Sequence, residues 1–330
     1  MAEAKVVILG GGPAGVSAAY RLHRQRRGHA LVVETKDQFG GNAGSFYSEG
    51  QWLDYGSHRL DPRTAPDVLT DLKRLLGADL ADRPRRDQLR FGGRWFSFPL
   101  QPKDLVLRLD PRFTARAARD IVLRAVTKRP KSATKDTLAA VTESNVGATI
   151  ANGYFFPYAQ KVWGQGADAL HGPKSFEWLR NALKPARADR FYYPREGFGQ
   201  ISRAYADAAR DAGADLRLNT KVVGLYPAQK GWKIELKTER RVVSIEADYV
   251  WSTLPMTVVA GMMKPAPPEA VRRARTQVGH RALLLVYLHL DVPRFHEADA
   301  HYFPETDVKM TRLSEPKRYF GASEPRDGTT

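Results

Sequence analysis

The 330-residue chain has no cysteine. That excludes disulfides, a thiol nucleophile, a cysteinyl link to a prosthetic group and any thiolate metal site. A metal centre would have to use histidines and carboxylates. The one cluster of these, His296, Glu297, Asp299 and His301, falls in a polar stretch between apolar runs, so a surface loop and no metal are expected. Long apolar runs are also missing. The longest, ALLLVYL at 282–288, is seven residues, far short of the roughly 20 that cross a bilayer. The opening MAEAKVVILG enters a strand pattern at once and leaves no room for a signal or transit peptide, so a cytoplasmic protein is expected. No Ser-His-Asp set or pair of acids is legible. No catalytic residue is therefore assigned, which fits chemistry carried by a bound cofactor. Acidic residues are scarce, 36 against 52 Lys and Arg. The excess is local: 15 basic and 4 acidic residues between Arg83 and Lys135 supply +11 of the net +16. That segment should face something anionic: a phosphorylated small molecule, a nucleotide-sugar or a lipid surface. No nucleic-acid partner is expected.

What is present is organised around VVILGGGPAGVSAAYRLHRQRRGHALVVE, residues 6–34. An apolar run leads into Gly10-x-Gly12-x-x-Gly15, an alanine-rich helical pattern follows, and a second apolar run ends on Glu34. This is a strand, glycine turn, helix, strand unit for a dinucleotide. Gly10 allows the tight turn, Gly12 admits the pyrophosphate close to the backbone, and Gly15 lets the helix pack on the strand. Pro13 and Ala14 open the helix, whose positive end and unpaired N–H groups suit phosphates. Glu34 stands where a carboxylate accepts both ribose hydroxyls, and it would repel a 2′-phosphate. With 42% hydrophobic and 10% aromatic residues, the chain can bury a sizeable core, and its length suits two domains.

Two further glycine turns follow, FGGNAGS at 39–45 and WLDYGSHR at 52–59. With these the chain resembles the FAD-dependent amine oxidoreductases, a superfamily that includes monoamine oxidase, protoporphyrinogen oxidase, phytoene desaturase and UDP-galactopyranose mutase. The resemblance implies FAD as cofactor. Gly40, Gly41, Asn42, Ala43 and Ser45 would cover its pyrophosphate and ribityl chain, and Gly56, Ser57 and His58 would lie near the isoalloxazine ring. The wording GGNAGS is similar to the mutase. The arginine usual before the glycine pair is replaced by Asp37-Gln38-Phe39. Asp61 stands where bacterial mutases carry a second histidine.

Residues 64–77 carry a helical stripe, and 88–100 read as a hairpin around Gly92-Gly93. Residues 112–129 form a basic helix, with Arg112, Arg116, Arg119 and Lys128 near helical spacing. Such a helix can lie on an anionic membrane; the simpler expectation is an ordinary surface helix followed by a mobile basic stretch, 128–135. FFPYAQKVWG at 155–164 is similar to a segment of bacterial amine oxidoreductases. Most of its aromatics are expected in the core, with Tyr158, Lys161 and Trp163 as substrate-binding candidates. Arg195, in FYYPREGFG, is a fourth candidate that could instead form a structural salt bridge.

The stretch 216–225 resembles the family's late strand, whose valine backbone clasps the adenine, and the resemblance assigns that place to Val222. Strands at 232–236 and 242–245 are expected to make an antiparallel ribbon, and DYVWSTLP at 248–255 resembles the family's strand that re-enters beside the cofactor. Residues 281–291 and 302–313 are expected to return to the substrate domain's sheet. The expected architecture is α/β: a Rossmann-like FAD-binding domain of glutathione-reductase type with an inserted mixed α+β substrate domain. Its parts are 1–80 (FAD), 81–195 (insertion), 196–262 (FAD) and 263–330 (substrate sheet). Members of the family continue further, so a truncated chain is expected. The implied function is hydride transfer from an amine or unsaturated substrate to flavin N5. The alternatives are a mutase-like isomerase acting on a nucleotide-sugar, and a protein that binds FAD without turnover.

Overall fold

The computed structural model describes residues 4–98, 104, 108–127, 136–183 and 189–320. The end of the expected hairpin at Leu100, the basic stretch 128–135 and the final residues 324–330 lie outside them. The chain divides into two units. One comprises 1–83, 191–287 and 320–325; the other comprises 84–190, 288–319 and 326–330.

In the first unit, β1 (Lys5–Leu9) and β2 (His29–Val33) pair in parallel, Val6 opposite Ala30 and Leu9 opposite Val33. The helix Pro13–Arg24 connects them. β9 (Asp215–Arg217) adds beyond β2 and β13 (Tyr249–Ser252) beyond β1, all parallel, in the order β13-β1-β2-β9. The continuous apolar runs of β1 and β2 follow from burial on both faces. Val6, Ile8, Ala30 and Val32 pack with the helices Pro13–Arg24, Pro66–Leu76 and Gln200–Asp211. Val7, Leu9, Leu31 and Val33 pack against an antiparallel ribbon of β10 (Lys221–Pro227), β11 (Trp232–Lys237) and β12 (Val242–Ala247). β3 (Ser45–Ser48) and β4 (Gln51–Asp54) form a hairpin. β5 (Leu80–Pro84) pairs with β8 (Arg190–Pro194) where the chain leaves this unit and returns.

The expected single strand at 216–225 is two strands in different sheets. Asn219, at φ 50°, turns the chain between β9 and β10. Asparagine tolerates that left-handed conformation, so the break is local chemistry that a reading of apolar spacing passes over.

The second unit has a sheet in the order β15-β14-β6-β7, formed by β6 (Asp87–Phe91), β7 (Arg94–Phe98), β14 (Ala300–Tyr302) and β15 (Arg312–Ser314). β6 and β7 make the expected hairpin, closing at Phe91 opposite Arg94. Its core joins Leu89 and Phe96 to Leu138, Tyr154, Phe155, Phe176 and Leu179. Of the aromatic segment 155–164, Phe155 is buried and Phe156, Tyr158 and Trp163 are partly buried against this core, with Tyr154 buried just before it.

Two expectations are corrected here. Residues 278–289 form no strand, and Leu283, Leu284, Val286 and Leu288 are exposed. Apolar alternation reports a capacity for burial, whereas a strand also needs a neighbour to bond to. The histidine cluster is not a surface loop. His301 lies on β14 and, like Asp299, is buried. Its Nε2 is 3.1 Å from His296 Nδ1, and its ring stands edge-on to Trp95. Among the described residues no group of three His or acidic side chains could hold a metal ion.

Candidate functional site

The sequence from β1 to β2 builds a cradle in the first unit. Gly10, at φ 103°, donates its N–H to Val33 O at 2.9 Å and turns the chain off the strand. A Cβ on Gly15 would stand 1.9 Å from Gly10 O, so only glycine lets the helix start this close to the turn. Gly12 caps the helix Pro13–Arg24, which begins with proline and receives no side-chain cap. Its first N–H groups are therefore available to an anion. Glu34 leaves β2 and closes the cradle: Oε2 accepts Gly11 N–H at 2.8 Å and Oε1 accepts Lys36 N–H at 2.9 Å. Each carboxylate oxygen keeps a further lone pair for a ribose hydroxyl.

The second glycine turn lies against the first. Gly40 N–H bonds to Gly11 O at 2.9 Å, and Gly41 (φ 55°) sits opposite Gly12. Asn42 and Ala43 complete a short 3-10 turn, with Asn42 exposed. Gly12 gives the test of fit. A Cβ there would meet nothing nearer than Gly41 Cα at 3.9 Å. Packing within the protein does not demand glycine at this position, whereas close approach of a pyrophosphate does. The residues present fit a dinucleotide.

Ser45 is placed differently from its neighbours. It is buried, its Oγ–H donates to Asp54 Oδ1 at 2.6 Å, and its oxygen accepts Gly199 N–H at 2.8 Å. Asp54, which spacing alone did not single out, is the centre of this network. Its carboxylate also accepts Phe198 N–H at 2.8 Å and Tyr193 O–H at 2.7 Å. Burial pushes the Asp54 carboxyl above its usual range, against the pull of the Ser45, Tyr193 and Phe198 donors. Its legible signal was an acid inside the aromatic stretch WLDYG. Gly56 (φ 156°), Ser57 and His58 follow directly, and the His58 ring stacks on Phe198 at 5.2 Å.

Thr253, just past β13, backs the first turn: its N–H and Oγ–H both reach Leu9 O at 2.9 Å. Val222, the second residue of β10, is buried, two residues after Thr220, which donates its N–H to Glu34 O at 2.8 Å. The register with β11 shifts between Val222 and Gly224, which leaves backbone out of the ladder at this point. The structure thus brings the cofactor candidates of 10–58 and Val222 together. A cavity of about 470 Å³ runs along the same helix, lined by Pro13, Ala14, Leu60, Phe198 and Ile201. Gly12, Glu34 and Gly41 are absent from that lining, so it is not the phosphate cradle.

The substrate candidates are not gathered in the same way. Arg195 belongs to the first unit, where its Nε donates to Asp79 Oδ1 at 2.8 Å and its N–H to Asp79 O at 2.9 Å. Tyr158, Lys161 and Trp163 share the helix Phe156–Trp163 of the second unit. Lys161 Nζ faces the carbonyl oxygens of Phe303, Glu305, Val308 and Met310 at 2.5–2.9 Å. An ammonium has three protons, so four acceptors share them. Burial pulls the Lys161 amine below its ordinary value, with Asp307 and Glu305 opposing. Trp163 leans on Trp178, ring centres 5.1 Å apart. Tyr158 lies near Tyr154 and Tyr302, and burial raises its phenol.

A parallel sheet covered by helices on one face and an antiparallel ribbon on the other, with paired glycine turns and an acid just past its second strand, defines a dinucleotide-binding protein. The profile of the flavin containing amine oxidoreductases matches residues 13–328. The chain belongs to that family, and its cofactor is FAD. It is 27% identical over 252 residues to a phytoene dehydrogenase of Streptomyces griseus, covering 67% of this chain and 48% of that protein. The chain thus spans about half the length of this curated relative. Among solved structures it resembles a reduced UDP-galactopyranose mutase, with a TM-score of 0.77 and 21% identity over 99% of this chain and 73% of that one. It also resembles a putrescine oxidase with bound putrescine, with a TM-score of 0.68 and 16% identity over 99% and 74%. At such identities the likeness is one of fold. No helix among the described residues is long and apolar enough to cross a membrane.

Proposed function

We propose that the chain is a FAD-dependent oxidoreductase that takes hydride from an amine-bearing or unsaturated small molecule, with oxygen or another acceptor restoring the cofactor. The observation that carries this is the open space over Gly12 between the two glycine turns, beside the paired oxygens of Glu34. When bound, FAD supplies the hydride acceptor. The start of the helix Pro13–Arg24 holds the pyrophosphate, Glu34 takes the ribose hydroxyls, and Val222 lies at the adenine. Gly40–Ser45 and Gly56–His58 fix the remainder, and the Asp54 network holds those turns in place. On the substrate side, Tyr158 and Trp163 contact the ligand, and Lys161 orders the loop that carries its four carbonyl partners. An anionic substrate would reach Arg195 only in competition with Asp79.

A second reading, an isomerase acting on a nucleotide-sugar, is supported by the GGNAGS turn and by the TM-score of 0.77 to a mutase. The experiment that separates them is the visible spectrum of the purified protein, titrated with UDP under reducing conditions. A flavin spectrum indifferent to UDP is the expected result. A saturable shift would replace the oxidoreductase reading with the mutase, and absence of flavin would overturn both.

A further inference from the structure

Among the described residues the helix Pro111–Thr127 is anchored through Phe113, Ala117 and Asp120, which share one side. Phe113 packs on Phe91 with ring centres 5.2 Å apart, Ala117 is buried, and the Asp120 carboxylate accepts Thr149 N–H at 2.8 Å. At about 100° per residue, Arg112, Arg116, Arg119, Val122, Leu123 and Val126 fall with Ala115 in one arc of about 120° on the other side. All seven are exposed. Val122, Leu123 and Val126 stand 58%, 51% and 74% exposed, beyond what lone surface aliphatics explain. The arc contains no acid. Arg119 pairs with Asp120 from the helix's inner side at 3.5 Å, while Arg112 and Arg116 extend the same exposed arc.

We propose that this face docks on an anionic lipid surface, its arginines at the headgroup phosphates and its aliphatic end among the first acyl carbons. Charge complementarity selects the partner class: the exposed arc carries Arg112, Arg116 and Arg119 and no acid. The aliphatics select lipid over nucleic acid. Valine and leucine gain by leaving water for acyl chains but offer no ring on which a base can stack. An ordinary surface helix would put acids among its exposed arginines, and this arc has none.

The test is co-sedimentation of the full chain with phosphatidylserine–phosphatidylcholine vesicles and with phosphatidylcholine vesicles, at low and high salt. It does not depend on turnover or on the cofactor reading. Binding to the anionic vesicles alone, weakened by salt, is expected. Arg112→Gln with Arg116→Gln should lower the partition about five-fold per arginine. Val122→Asp with Val126→Asp should abolish the binding that survives high salt. All four positions are exposed, so circular dichroism of each variant should match the parent. No sedimentation at low salt, equal binding to neutral vesicles, or variants that bind like the parent would each overturn the proposal. So would RNA binding that persists in the aspartate variant while vesicles are ignored.

Discussion

Removing the Asp54 carboxylate should uncouple the glycine turns of the first unit. Its oxygens accept Ser45 O–H, Phe198 N–H and Tyr193 O–H, at 2.6, 2.8 and 2.7 Å. In Asp54→Ala three donors lose an acceptor in a place water does not reach. At about 1–1.5 kcal/mol each, the loss is about 3–4.5 kcal/mol, with a small cavity added. That corresponds to a fall in melting temperature on the order of 10 °C, at about 2–4 °C per kcal/mol. Tyr193→Phe removes one of the three bonds and should cost about 1 kcal/mol. Asp54→Asn keeps one acceptor oxygen and should fall between. The pH dependence has a definite sign. Because burial raises the folded carboxyl above 3.8, the native state binds this proton more readily than the unfolded chain. Stability from the group is full below 3.8 and is lost as pH rises through the folded value. The gap between parent and Asp54→Asn should therefore widen as pH falls from neutral toward 4. The assay is thermal unfolding across this range, with flavin content measured alongside. An alanine variant melting within about 2 °C of the parent would refute the network, as would Tyr193→Phe proving as damaging as Asp54→Ala.

Three other changes probe separate parts of the molecule. Gly12→Ala should leave the melting temperature of the cofactor-free protein unchanged, since beyond its chain neighbours the nearest atom to the new Cβ is Gly41 Cα at 3.9 Å. FAD affinity, read by equilibrium dialysis, should fall at least about ten-fold; unchanged affinity would remove the pyrophosphate from this position. Lys161→Met should cost about 2 kcal/mol, because of the four carbonyls only that of Phe303 belongs to a buried residue and the others can recover part of the loss from water, and it should open that loop to proteases. Lys161→Arg should not rescue it, because a planar fork cannot serve four convergent carbonyls. His301 is depressed below 6.5 by burial and by His296, so the unfolded chain takes up its proton first and stability falls as pH drops below 6.5. The slope is at most about 1.4 kcal/mol per pH unit, visible in urea unfolding at two pH values and absent in His301→Phe.

The sequence by itself determined the nucleotide-binding half. Gly10, Gly12, Gly15 and Glu34 lie within thirty residues of one another. Their roles follow from the backbone of one strand, turn, helix and strand, so local spacing is enough to read them. The helix at 66–76 and the hairpin at 87–98 were legible for the same reason. Tertiary structure decided whatever depends on a distant partner. Asp54 meets Tyr193 and Phe198 more than 130 residues away, and Lys161 meets carbonyls 142 to 149 residues on. No periodicity encodes such meetings. Arg195 reads equally as an anion ligand or a salt-bridge partner until Asp79 is seen beside it. The apolar run at 282–288 promised a strand, and His301 a loop, because hydropathy reports what a segment can bury. Which neighbour buries it is set by the fold, through loop closures and strand pairings that cost entropy locally and are repaid only when the whole unit packs.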